Sequence, residues 1–183
     1  MGPGCTPLGW AACNGHEEVV EMLLGRDDTN PNKPDYRGRT PLWCAAMGGH
    51  KGVVKILLER GDVNPNEPDN FGRTPLWCAS RNGHEEVVKM LLGRDDVNPN
   101  KQDNWGRTPL DRAAKNGHEG VAKVLLGRSD VNPNGFPQFY LSPLCRAARH
   151  GHEGVVKVVG TWWWWKNDLM YFLSTTEGIY GDT

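Results

Sequence analysis

A five-residue phrase, Gly38-Arg39-Thr40-Pro41-Leu42, returns unchanged as Gly72–Leu76 and again as Gly106–Leu110. The threonines at 6, 40, 74 and 108 are spaced 34 residues apart, and Ser142 continues the series. Gly-His pairs ending at His16, His50, His84, His118 and His152 keep the same period. So does Asn-Pro-Asn, centred on Pro31, Pro65, Pro99 and Pro133. A chain with this repeat is confined to a stacked array, because one such unit cannot bury its apolar face alone.

Each unit reads as two short helices and a long loop. Thr40 is a good N-cap, and Pro41 suits the first helical turn, where its missing N–H has no partner to lose. Leu42, Ala45 and Ala46 then give a narrow face of small residues, and Gly48-Gly49 ends the helix through a residue able to take positive φ. A second helix begins after His50 and carries Val53, Val54, Ile56, Leu57 and Leu58 inward, with Lys55 and Glu59 facing out. The stretch from Gly61 to Gly72 holds two prolines, three asparagines and Asp69-Asn70-Phe71-Gly72. That composition makes an extended loop closing in a turn.

Thr-Pro-Leu, Ala-Ala, Gly-His, Leu-Leu, Asp-Val-Asn and Asp-x-x-Gly in this order resemble the ankyrin repeat over residues 4 to 159. The resemblance implies an all-α solenoid of about five repeats, with antiparallel helix pairs stacked side by side and hairpin-like loops projecting from one edge. The ends are incomplete, and repeats begin near residues 4, 35, 69, 103 and 137, so that residues 1–159 form the array and 160–183 a tail. The chain departs from the family twice. The extra residue of its 34-residue period falls in the Asn-Pro-Asn loop, where an insertion costs little. The family's His after Thr-Pro-Leu is replaced by Gly9, Trp43, Trp77, Asp111 and Cys145. A tetratricopeptide array shares the period but not these markers. Near-identical repeats of this kind also resemble the fungal ankyrin arrays found at the C-terminus of NTPase-linked, receptor-like proteins.

The fifth repeat decays. Pro137-Gln138-Phe139-Tyr140 stands where Asp-x-x-Gly is expected, and Tyr140 at a positive-φ position predicts a remodelled hairpin. After Val155, Val156, Val158 and Val159 come Gly160, four tryptophans from Trp162 to Trp165, and a polar end. One reading folds the tryptophans back over Val155 and Val159 as a cap. The favoured reading is a foreign appendage on a truncated array, since exposed aromatics promote association. Met1-Gly2 with Thr6 matches an acylation pattern, but Thr6 already serves as a repeat threonine.

Composition narrows the function. A net charge of −1 over 183 residues argues against nucleic acid. No apolar run reaches the ~20 residues of a membrane span, and the start lacks the layout of a secretory signal, so the expected compartment is cytoplasm, with the nucleus possible. Cys44 and Cys78 occupy one register position in successive repeats, too far apart for a disulfide. The Gly-His histidines are likewise a repeat apart and cannot converge on one ion. Glu17-Glu18 and Glu85-Glu86 open second helices, where negative charge is favourable. No nucleophile elbow, P-loop or Cys/His dyad is present. The expectation is no catalytic, cofactor or metal site, and so no enzyme.

What remains is binding. The resemblance places variable contact residues at the loop tips and on the first helices. At the tips these are Tyr36, Arg37 and Arg39, then Asn70, Phe71 and Arg73, then Asn104, Trp105 and Arg107; on the helices they are Met47, Arg81-Asn82 and Lys115-Asn116. Aromatics beside Arg are the residue types enriched in interface hot spots. Against this, Arg39, Arg73 and Arg107 could instead bridge to Asp35, Asp69 and Asp103. The expected partner is a protein, the expected state a monomer unless the Trp-rich tail drives association. The alternative is a decayed fragment of a larger receptor-like protein with no partner of its own.

Overall fold

The computed structural model describes residues 4–134 and 142–161, and all regular structure among them is helical. The helices are α1 (Pro7–Asn14), α2 (Glu17–Leu24), α3 (Pro41–Gly48), α4 (Lys51–Leu58), α5 (Pro75–Asn82), α6 (Glu85–Leu92), α7 (Pro109–Asn116), α8 (Glu119–Leu126) and α9 (Pro143–Arg149). Helical backbone returns over residues 153–161, running through Gly160. The remodelled hairpin expected at Pro137–Tyr140 and the tryptophans from Trp162 onward lie outside the described residues.

Two turns of helix are marginal in water, so these helices exist because they stack. Their ends are set by sequence. Thr40, Thr74 and Thr108 cap α3, α5 and α7 by accepting from the backbone N–H three residues on, and Thr6 does the same for α1. At the other end Gly83 takes φ 78°, and a Cβ there would lie 2.6 Å from the His118 ring. Only glycine fits, for conformation and for space.

First helices α1, α3, α5, α7 and α9 pack in one layer, and second helices α2, α4, α6 and α8 in another. Alanines let the first helices approach closely: Ala12, Ala45, Ala46, Ala79, Ala113, Ala114 and Ala147 are fully buried. Leu42, Leu76 and Leu110 join Val53, Val87, Val121 and Leu57, Leu91, Leu125 in one continuous core. Stacking decides burial here. Val53 and Val87 are 0% and 1% exposed, whereas Val19, the same register position on the unstacked side of the first repeat, is 44% exposed.

Polar ladders tie the repeats together. Every Gly-His histidine after His16 reaches back one repeat: His50 to the Cys13 carbonyl, His84 to Met47, His118 to Arg81 and His152 to Lys115, at 2.9–3.1 Å. A carbonyl can only accept, so Nε2 carries the proton in each. Arg60, Arg94 and Arg128 donate to carbonyls of the preceding repeat while paired with Asp62, Asp96 and Asp130.

The Asn-Pro-Asn loop is a third ladder and more than a place where an extra residue is cheap. Asn66 donates through Nδ2 to the Asp96 carbonyl and accepts through Oδ1 from the Asn98 N–H. Asn32 and Asn100 repeat the arrangement on either side. The loop that takes the extra residue therefore also supplies an inter-repeat strut.

Replacing Asn66 by Ala should cost about 1 kcal/mol in denaturant unfolding, the usual loss for an intramolecular hydrogen bond or two. Asn30→Ala should cost less, because the Asn30 carboxamide oxygen serves only Asn32 of its own loop.

Candidate functional site

The first three loops each close on a buried aspartate. Asp35 Oδ1 accepts from the backbone N–H of Arg37 and of Arg39, and its Oδ2 accepts from Arg39 Nε at 2.7 Å. Asp69 holds Phe71 and Arg73 in the same way, and Asp103 holds Trp105 and Arg107. The middle tip is also bound to its neighbours: the Asn70 N–H donates to the Arg37 carbonyl, and the Asn104 N–H to Phe71. Side-chain amides of Asn70 and Asn104 add bonds to the Tyr36 and Asn70 carbonyls. The loop tips form one hydrogen-bonded edge.

On that edge Tyr36, Phe71 and Trp105 are exposed to 49%, 43% and 45%. Phe71 and Trp105 stack on each other, ring centroids 5.8 Å apart and planes 17° from parallel. Guanidinium groups lie against the rings, Arg73 4.8 Å from Phe71 and Arg107 4.4 Å from Trp105. Beneath the tips the alternation continues. Arg73 also lies over Trp77, and Trp77 in turn lies beneath Arg81 and Arg112. A contiguous run of arginine and aromatic side chains thus leads from the loop tips to the end of α5.

The fourteen expected contact residues separate into groups, of which Asn82 and Asn116 spend their side-chain amides on the Met47 and Arg81 carbonyls one repeat back. Arg39, Arg73 and Arg107 are ion-paired with Asp35, Asp69 and Asp103, their side chains only 14–26% exposed, so they build the tips. Asn70 and Asn104 spend their amides on neighbouring tips. Met47 is half-buried under Asn82. Tyr36, Arg37, Phe71, Trp105, Arg81 and Lys115 present open side chains.

Sequence reasoning gave no role to the tryptophans that replace the family histidine. Both are buried and donate through Nε1 to the next repeat, Trp43 to the Arg73 carbonyl at 2.9 Å and Trp77 to Arg107 at 3.2 Å. Asp111 at the same position completes a capping box with Thr108 and pairs with Arg146 at 2.9 Å. Its neighbour Arg112 is buried against Trp77, with Nε and one terminal nitrogen lacking any hydrogen-bond acceptor. Burial first, and then the nearby Arg107 charge, pulls the Arg112 guanidinium down to about 10.

Among the described residues no three His, Cys, Asp or Glu side chains are grouped so as to hold a metal ion. No described helix is long and apolar enough to cross a membrane. All five cysteines are free thiols. Burial raises the Cys78 thiol well above its usual range, which keeps it unreactive.

Short helix pairs with side-chain-capped first helices, two helical layers, projecting tips and one-repeat polar ladders define a helical repeat scaffold. The family model for ankyrin repeats in three copies matches residues 8–103, 62–136 and 96–160, most of the chain. The chain belongs to the ankyrin repeat family. No curated protein matches it.

Burial opposes ionisation of Asp35, but the Arg39 guanidinium and two backbone N–H groups overcome it and hold the carboxyl below its usual range. Stability from this lowered group is complete above the unfolded value of about 4 and is lost as pH falls through the folded one. Asp35→Asn should lower stability at pH 7 by about 1–3 kcal/mol, the worth of hydrogen bonds to a charged group. Denaturant midpoints at pH 7 and at acid pH test this: the variant should lose less than the parent on acidification.

Proposed function

We propose that the chain is a protein-interaction module that performs no catalysis and holds its partner across the loop tips and the exposed ends of the first helices. The observation that carries this reading is the Phe71–Trp105 stack, a large exposed aromatic pair held on a hydrogen-bonded edge. Interface hot spots are enriched in Trp, Tyr and Arg. Rigid tips also lose little freedom on binding, which favours affinity. Membership of the ankyrin family supports a protein partner, since such repeats are generally interaction modules. Five reduced thiols fit a reducing compartment, the cytoplasm or the nucleus.

Phe71→Ala combined with Trp105→Ala should weaken a cognate complex by several kcal/mol, the range seen when hot-spot aromatics are truncated. Unfolding free energy should change by no more than about 1 kcal/mol, the worth of an exposed aromatic pair. Pull-down from lysate with calorimetry on the recovered partner measures the first, and denaturant unfolding the second. Unchanged affinity would count against the site.

A further inference from the structure

Charge is divided between the two helical layers. The five first helices carry Arg81, Arg112, Lys115, Arg146 and Arg149 against Asp111 alone. Second helices carry a comparable lysine row, Lys55, Lys89 and Lys123, also 34 residues apart, but each of these is paired with a glutamate of its own helix or its C-cap. Arg81, Lys115 and Arg149 occupy one register position in three successive repeats, are exposed, and have no acidic partner among the described residues. Carboxylates on the same side are already committed, Asp35, Asp69 and Asp103 to the tip arginines and Asp111 to Arg146. Beside the row, Arg112 is 93% buried; its ion-pair partner Asp103 lies 3.9 Å away and is shared with Arg107, and two of its nitrogens find no hydrogen-bond acceptor. Buried donors left unmatched cost more than an exposed pair ever returns, so this face is short of acceptors.

Resting on the interaction reading above, we propose that this face binds an acidic polypeptide segment that also carries apolar side chains. Carboxylates of the segment pair with Arg81, Lys115 and Arg149, while its apolar groups lie on the Phe71–Trp105 stack. Neighbouring helices sit about 8–10 Å apart, so the cation row spans about 20 Å, the reach of roughly six extended residues. Nucleic acid is the poorer fit, because the second-helix layer and outer loops carry Glu17, Glu18, Glu86, Asp27 and Asp95 and the net charge is −1.

The test uses the full chain and a fluorescein-labelled peptide of repeated Glu-Glu-Phe, followed by anisotropy. Its Gln-Gln-Phe counterpart and a single-stranded oligonucleotide of similar length are the comparisons. The acidic peptide should bind, and more weakly as salt rises from roughly 50 to 500 mM. Arg81→Ser with Lys115→Ser and Arg149→Ser should weaken it about tenfold or more. The triple Lys55→Ser, Lys89→Ser, Lys123→Ser, with the same change in formal charge, should leave affinity within about twofold. All variants are first checked for unchanged melting temperature. Equal loss in the two triples, equal binding of the Gln peptide, tighter binding of the oligonucleotide, or no binding of the acidic peptide overturns the proposal. A Gln peptide that needs Phe71 and Trp105 but not the cation row would overturn it alone, leaving the interaction reading intact. Binding that no variant on this face alters would sink both.

Discussion

Each repeat leaves polar groups that only the next one can satisfy, and this dependence fixes the spacing of everything else. A histidine ring reaches back to one carbonyl, an arginine to another and an asparagine amide forward to a third, all across a single inter-repeat boundary. These bonds require neighbouring repeats to meet in one register. A slip would strand donors and acceptors at every rung, and each stranded group costs more than a formed bond contributes. Apolar stacking brings the repeats together without much directional preference, while the ladders select one alignment.

The candidate site inherits its order from this alignment. Phe71 and Trp105 stack only because their tips are held one repeat apart by Asn70 and Asn104. Buried aspartates stiffen each tip from within, taking Arg39, Arg73 and Arg107 into the scaffold. Side chains left open at the tips are therefore few and are carried on a hydrogen-bonded frame.

Much of the fold was legible in the sequence because its markers act locally. A capping Thr, a Pro in the first turn and a Gly at the C-cap fix helix ends by rules that need no knowledge of neighbours, and α3, α5 and α7 begin and end accordingly. The site was legible only in part. Register alone located the exposed aromatics Phe71 and Trp105. It named Asp35, Asp69 and Asp103 as alternative partners for Arg39, Arg73 and Arg107 without deciding between pairing and exposure, because only the folded loop brings each carboxylate onto its arginine. The roles of Trp77 and Asn66 were hidden for the same reason: their partners, Arg107 and Asp96, are 30 residues away and belong to the next repeat. One signal was available, since an Asn-Pro-Asn held in four successive loops exceeds what a mere turn requires.

The unequal pairing of the two lysine and arginine rows has a consequence for motion in solution. A chain with net charge −1 would ordinarily diffuse without preferred orientation in the field of another molecule. Here the positive charge sits on one helical layer and compensated or negative charge on the other, which gives the described stack a transverse dipole moment despite the chain's near-neutrality. An anionic body approaching within a Debye length exerts a torque that turns the first-helix side toward it before contact. Encounter rate then depends on how charge is arranged across the stack more than on how much of it there is.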